Sequence, residues 1–340
     1  MLIVHLYPSN ILELVQYASL LTDLTDEEVV TTDNQKAFQQ ICTDRMPDIV
    51  HVHGCSQEMV KSAEWARKKG ARIVITPHGQ LESWELGNSA KLLSGLKNLV
   101  SRTYCLIARS EIEAAELRAL GWNERIEVVR NPILTGTASK EELLKQHHRI
   151  YQKVMDSYVL ELMDDYTLHA LQVLLKVGIT GDDRWGEPIE KEAVNWHHLL
   201  IYAQLEGIMT FVERGCSCMR IPLPDKPVAS CYLPNHYVAP ISLAGKHFSD
   251  IFTSIVNQVS TESLSLLSLA ELDQALRRED IEDDVIMQQM EIERKSSFFA
   301  ALLTVLNEQT GLDEGFMPCT PADNDETNRI RTSIKKHLEI

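Results

Sequence analysis

The sequence predicts an α/β fold over residues 1–136 and a mainly α-helical, acidic region over residues 140–340, and three observations carry that expectation. Four short β-branched runs, DIVHVHG at 48–54, RIVITPHG at 72–79, YCLIARSE at 104–111 and RIEVVRNPI at 125–133, each end in a polar or Gly/Pro corner. Helix-like stretches lie between them, the pattern of β-α-β units in a parallel sheet. After Ile133 that alternation stops, and a Gly/Thr/Ser stretch at 135–139 leads into long helical periodicities.

Taken in order, Leu2 to Tyr7 is a near-continuous apolar run suited to a strand buried on both faces. Pro8-Ser9-Asn10 breaks it, and Asn10 is placed to cap a helix from Ile11 to Leu21, with Leu14, Val15 and Ala18 on one face. A short strand over Glu28 to Thr32 and a helix over Gln35 to Thr43 precede the strand Ile49 to Val52. The helix Gln57 to Lys69 stops at Gly70, and the strand Ile73 to Thr76 follows. Residues 79–101 make a long crossover in which Leu81, Trp84 and Leu86 serve either as anchors or on the border of a cleft. Ser110 caps a helix over Glu111 to Leu120 that Gly121 ends, before the strand Ile126 to Val129.

Beyond Ser139, a helix cap with Glu142 three residues on, helices are expected over 141–163, 167–177, 191–214, 246–259, 269–278, 285–309 and 327–337. Ser268 and Glu271 form a second capping-box spacing. The proline-rich segment Pro222 to Pro240 is irregular, with room for an extended piece or a hairpin, and 317–326 reads as an exposed linker.

Composition narrows the function classes. The chain has 340 residues, enough for two domains with a core each, and its 44% hydrophobic and 24% charged residues are those of a globular protein. No apolar run approaches the ~18 residues of a membrane span, and MLIVHLYP has no basic leader, so no transmembrane segment and a cytoplasmic location are expected. Seven scattered cysteines do not make a secreted disulfide framework. Cys216-Ser-Cys218 with Cys231 and His236 lacks paired C-x-x-C spacing, so no metal site and no cofactor are expected. Residues 1–139 carry 14 basic and 17 acidic residues, while residues 140–340 carry 19 and 32, a net −13. Such a carboxylate excess repels a phosphate backbone and argues against nucleic acid as partner.

The corners are where ligands collect in an open parallel sheet, outside the carboxyl ends of the strands. PDIVHVHG at 47–54, ITPHG at 75–79, ARSEIEAAELRALG at 108–121 and VVRNPI at 128–133 come in one order at ordinary spacing. Over residues 2–133 the sequence resembles the amino-terminal half of retaining glycosyltransferases of the GT-B fold, of the bacterial polysaccharide-synthesis type. That resemblance implies a Rossmann-like parallel sheet and a cleft lined by His53, Gly54, His78, Gly79, Ser110, Glu111 and Asn131, with His78 facing a glycan or lipid-linked acceptor. His51 and His53 share one face of their strand by alternation, so at least one of them is expected under a helix. Ser110 is also a helix cap and Asn131 a turn residue before proline, and no residue is assigned a chemical step.

Two departures from the family pattern bear on activity. No glycine precedes Gly54, whereas the family's first corner is glycine-rich. After residue 139 there is no G-x-G, and the glutamates eight apart, Glu271 and Glu279, flank an ordinary amphipathic stretch rather than the family's donor-binding motif. The expectation is a glycosyltransferase-family protein of surface polysaccharide or glycan synthesis with an incomplete donor site. The alternative is a non-catalytic relative, a binding or regulatory protein whose acidic helical half docks a protein partner.

Overall fold

The computed structural model describes residues 1–23, 27–82, 90–131, 139–157, 159–227, 230–234, 236–278 and 282–339. The chain divides into two compact units, Met1–Met155 and Asp156–Ile340.

The first unit is built on β1 (Leu2–Leu6), α1 (Leu12–Leu20), β2 (Glu28–Thr32), α2 (Gln35–Asp44), β3 (Ile49–His53), α3 (Gln57–Arg67), β4 (Arg72–Thr76), α4 (Ala90–Ser101), β5 (Cys105–Ala108), α5 (Glu111–Leu120), β6 (Ile126–Val128) and α6 (Lys140–Asp156). The six strands are all parallel, in the order β2-β1-β3-β4-β5-β6. Alternation along each strand sends Val4, Leu6, Val50, Val52, Ile73, Ile75, Leu106 and Ala108 to one face, where they form a core with Phe38, Met59, Ala63, Leu99 and Leu117. The opposite face carries His5, His51, His53 and Thr76, all buried, and Tyr17 of α1 and His147 and Tyr151 of α6 lie over it. One sheet therefore has an apolar face and a second face on which a histidine-rich patch sits beside Ile3, Ile49, Val74 and Ile107.

The helix ends of this unit follow local chemistry. Asn34 accepts from the Lys36 and Ala37 amides, Ser56 from Met59, and Ser110 from Glu113, each satisfying amides that a helix start leaves free. Gly121 closes α5 in the left-handed conformation at φ 64°. Asn10 does not cap α1: the N-cap is Ile11, whose side chain offers no acceptor. The Ser139 hydroxyl accepts from the Glu142 amide, as its sequence position suggests.

The second unit is helical, with α7 (Val159–Leu162), α8 (Asp165–Thr180), α9 (Trp196–Leu205), α10 (Met209–Cys218), α11 (Phe248–Ser260), α12 (Leu266–Leu276), α13 (Asp283–Ile292), α14 (Ser296–Thr310) and α15 (Asp325–Lys336). Its core joins Leu174, Leu200, Val212, Phe252, Leu269, Phe299 and Leu302 among others. Helices α8 and α10 touch backbone to backbone: a Cβ on Gly178 would lie 2.0 Å from the Phe211 carbonyl oxygen, and one on Gly215 would lie 2.2 Å from that of Leu174.

Several helices are shorter than their periodicity suggests. The 191–214 stretch splits at Gly207 (φ 71°), and 285–309 splits at Arg294 (φ 57°). The 141–163 stretch splits after Asp156, where the units divide. Ser268 lies inside α12 rather than at its start, because Ser265 takes the cap and accepts from the Ser268 amide. Glu271 accepts the Leu243 amide at 2.8 Å, an anchor for an irregular segment. No strand occurs between 222 and 240 among the described residues. Trp84, Leu86, residues 132–138 including Pro132 and Ile133, and Glu279 lie outside the described residues.

Candidate functional site

In the strand order, β1 has β2 on one side and β3 on the other, so the chain reverses its direction of winding between β1 and β3. Crevices at such switch points, beyond the carboxyl ends of the strands, are the ligand sites of open α/β sheets. His5, His51 and His53 lie at this junction but within β1 and β3, on the covered face of the sheet, with His53 the last residue of its strand. His5 pairs in register with His51, and His53 with Thr76, so strand geometry alone places His5, His51 and His53 in one patch.

The patch is continuous. His5 Nδ1 lies 2.9 Å from His53 Nε2, and His53 Nδ1 lies 3.3 Å from His78 Nε2, a row running from the sheet interior to the β4 corner. At its two ends, His5 Nε2 and His78 Nδ1 have no hydrogen-bond partner among the described residues. His51 is held at both nitrogens, by the Tyr151 hydroxyl at 2.6 Å and Thr76 Oγ1 at 2.7 Å. His147 Nδ1 can only donate to the Leu143 carbonyl, 2.9 Å away, which leaves Nε2 to accept from the Tyr17 hydroxyl at 3.3 Å.

Burial keeps these imidazoles neutral. It lowers His5 to about 3, helped by His147, and lowers His78 to about 3, helped by the Arg109 charge and His147. His147 is lowered to about 4 by burial, and His51 and His53 fall well below the usual range through burial and their histidine neighbours. Burial likewise raises the Tyr17 and Tyr151 hydroxyls, so they stay protonated. A neutral imidazole can donate to or accept from a hydroxyl but offers no positive charge to a phosphate.

The strand-end corners are fixed by one carboxylate. Glu113, buried at 3% exposure, accepts the Gly79 amide at 2.7 Å and the Arg109 amide at 2.8 Å. Arg109 is in turn paired with Glu13 at 2.8 Å and with Glu113 at 3.4 Å, so its charge is balanced by two carboxylates. His78 has φ 55°, in the left-handed region that costs a non-glycine residue free energy. Among the described residues, the other non-glycine residues with positive φ, Arg220, Glu262 and Arg294, each follow a helix end, where that conformation is ordinary. At His78 it turns a strand corner. Gly79 (φ 80°) is needed beside it, since a Cβ would lie 3.2 Å from Arg109 Nη2 and 3.3 Å from Glu82 Oε1.

The residues singled out from the sequence are thus dispersed in depth. His53, Gly54 and Asn131 are buried, His78, Gly79 and Ser110 are half-buried, and Glu111 is exposed. His53 and His78 are joined directly, and Gly79 is tied to Ser110 through Glu113, whose amide the Ser110 hydroxyl accepts at 3.1 Å. His5, Tyr17, Arg109, Glu113, His147 and Tyr151 are members that sequence reasoning missed. One of them had a signal: Glu113 stands three residues after Ser110 at capping-box spacing.

Among the described residues, the group whose ligand atoms could converge on a metal is His5, His51 and His53, with those atoms within 4.8 Å of one another. Cys216, Cys218, Cys231 and His236 do not form such a group; Cys231 Sγ lies 3.3 Å from the Asp156 carbonyl and His236 Nε2 lies 2.7 Å from that of Lys336. All seven cysteines are free. No helix among the described residues is long and apolar enough to cross a membrane.

Residues 19–136 match the family model described as Glycosyltransferase Family 4. No curated protein and no solved structure matches the chain significantly. The first unit is accordingly glycosyltransferase-like, with the Rossmann-like parallel sheet of a GT-B amino-terminal half, followed by a helical carboxyl-terminal region.

Proposed function

We propose that this chain is a glycosyltransferase-family protein of surface polysaccharide or glycan assembly whose first unit holds a neutral glycan or lipid-linked acceptor and whose donor site is incomplete. The observation that carries this reading is that the family match ends at residue 136, and the described residues beyond it form helices without a strand. Donor diphosphates need amides at a glycine-rich strand corner or unpaired cations. After residue 139 there is no G-x-G, and at the first unit's corners Arg109 is already paired by Glu13 and Glu113. The neutral His78 at its strained corner instead suits a sugar hydroxyl.

Calorimetry with several UDP- and GDP-sugars tests the donor side. No binding tighter than about 1 mM, about −4 kcal/mol, is expected, and micromolar affinity for any one would restore the chain as a self-sufficient enzyme. Ligand-observed NMR with neutral oligosaccharides tests the acceptor side, where the signal depends on His78. The rival reading, a non-catalytic relative whose helical half docks a protein, draws on the 32 acidic against 19 basic residues after residue 139. It gains if neither ligand class binds.

A further inference from the structure

We propose that His5, His51 and His53 form a binding site for a borderline-soft divalent transition-metal ion of the zinc class, set into the junction between β1 and β3. The proposal is independent of the glycosyltransferase reading, because it rests on the interior of the sheet rather than on its corners.

The donor set selects the ion. Three imidazoles converge with their ligand atoms within 4.8 Å of one another, and no carboxylate belongs to the group. Imidazole nitrogens suit zinc, copper, nickel and iron, whereas calcium and magnesium need oxygen ligands. All three rings are fully buried and held neutral by burial, so their lone pairs need not be stripped of protons before they bind.

One pair of nitrogens already stands near the spacing of a filled site, while the three ligand atoms together span up to 4.8 Å and His51 gives up one of its two hydrogen bonds as the rings draw in around the ion. Tetrahedral zinc with bonds of about 2.0–2.1 Å holds its nitrogens about 3.3–3.4 Å apart. His5 Nδ1 and His53 Nε2 stand at 2.9 Å, so they part by only about half an ångström to admit the ion. The proton shared between them moves by tautomer exchange. With the ion bound to His5 Nδ1 and His53 Nε2, the two rings carry their protons on His5 Nε2 and His53 Nδ1, and no proton is lost.

Groups around the rings orient them as a second layer does in metal sites. His53 Nδ1–H then donates to His78 Nε2, 3.3 Å away, and His51 keeps either the Tyr151 hydroxyl or Thr76 Oγ1 on the nitrogen that does not bind. His5 is the ring with spare capacity, since its Nε2 has no partner among the described residues, and it can turn toward the ion without breaking a second bond.

Because the site is buried, the ion enters during folding, and the test uses the full chain refolded from urea in the presence of Co²⁺ after chelator treatment. The expected result is one Co²⁺ per chain with visible ligand-field bands of a tetrahedral nitrogen site, no near-ultraviolet thiolate band, and loss of the colour on adding Zn²⁺. His53→Ala and His5→Gln lose the bands, while the paired change His236→Ala and His247→Ala keeps them. Circular dichroism checks that each variant folds; should His53→Ala fail to fold, the wild-type spectrum together with His5→Gln decides. No cobalt bands in the wild type, a thiolate band, or bands unchanged in His5→Gln would each overturn the proposal.

Discussion

The Glu113 carboxylate accepts the Gly79 amide at 2.7 Å, tying the first turn of α5 to the corner that follows β4. Its second oxygen accepts the Arg109 amide at 2.8 Å, so one side chain sets the spacing of two neighbouring strand ends. Removing it strands two amides, and leaving buried donors unsatisfied costs about 1–3 kcal/mol. Glu113→Ala is expected to lower the unfolding free energy of the first unit by that amount, read as a lower urea midpoint at unchanged slope. Glu113→Gln keeps one acceptor oxygen and should lose less. An unchanged midpoint in Glu113→Ala would mean that water replaces the carboxylate.

The histidine patch makes the first unit acid-sensitive. His5 and His78 are lowered to about 3 and His147 to about 4, each mainly by burial, while an unfolded histidine titrates near its ordinary value of about 6.5. Below that value the unfolded chain binds more protons than the native one, so stability is fully present above pH about 6.5 and drains as pH falls toward 4. Each such ring removes on the order of 1 kcal/mol by pH 5.5 relative to neutral pH. Urea titrations at pH 7.5, 6.5 and 5.5 should therefore show a midpoint that drops steeply over the last interval. A flat profile would mean that the patch is hydrated.

In the second unit the contact of α8 with α10 leaves no room for a side chain at Gly178 or Gly215. Backbone oxygens cannot rotate away as side-chain ends can, so the helices must separate and their packed apolar neighbours part. Gly178→Ala and Gly215→Ala should each cost at least 2 kcal/mol, roughly the upper part of the overpacking range, despite alanine's better helix propensity. Thermal unfolding of the full chain measures this. A neutral or stabilising effect would mean that the two helices lie farther apart.

Much of the first unit was legible because a parallel sheet writes its strands as apolar runs and its corners as Gly, Pro and caps. Ser110, Gly121 and the runs at 49–53 and 72–76 announce themselves in that way. The site was less legible, because it depends on register and on depth. Nothing local says that His5 lies opposite His51, or that the carboxylate three residues after Ser110 reaches Gly79 rather than the cap. Ser265 and Ser268 stand three apart, and either could cap. Leu266 and Leu267, both buried, belong to the helix and shift its start to Ser265. The place of α6 was the least legible, since a helical period does not reveal which unit a helix packs upon.

That last point yields a test of where the chain divides. By sequence the α/β unit closes near residue 136, at the Gly/Thr/Ser stretch, yet α6 supplies the cover of the sheet's histidine-bearing face. Without it Tyr17 loses His147 and His51 loses Tyr151, leaving fully buried polar groups open. Leu143, Ile150, Tyr151 and Val154, each at most 5% exposed, would vanish with it. At about 1.5–3 kcal/mol for each large apolar side chain, that loss is comparable with the ~5–15 kcal/mol by which a domain is stable. A fragment of residues 1–136 is therefore expected to be unfolded or molten, and one of residues 1–157 to unfold cooperatively. Circular dichroism and urea denaturation of the two fragments decide between the divisions. A cooperative transition in the shorter fragment, with a midpoint equal to that of the longer, would return the boundary to residue 136.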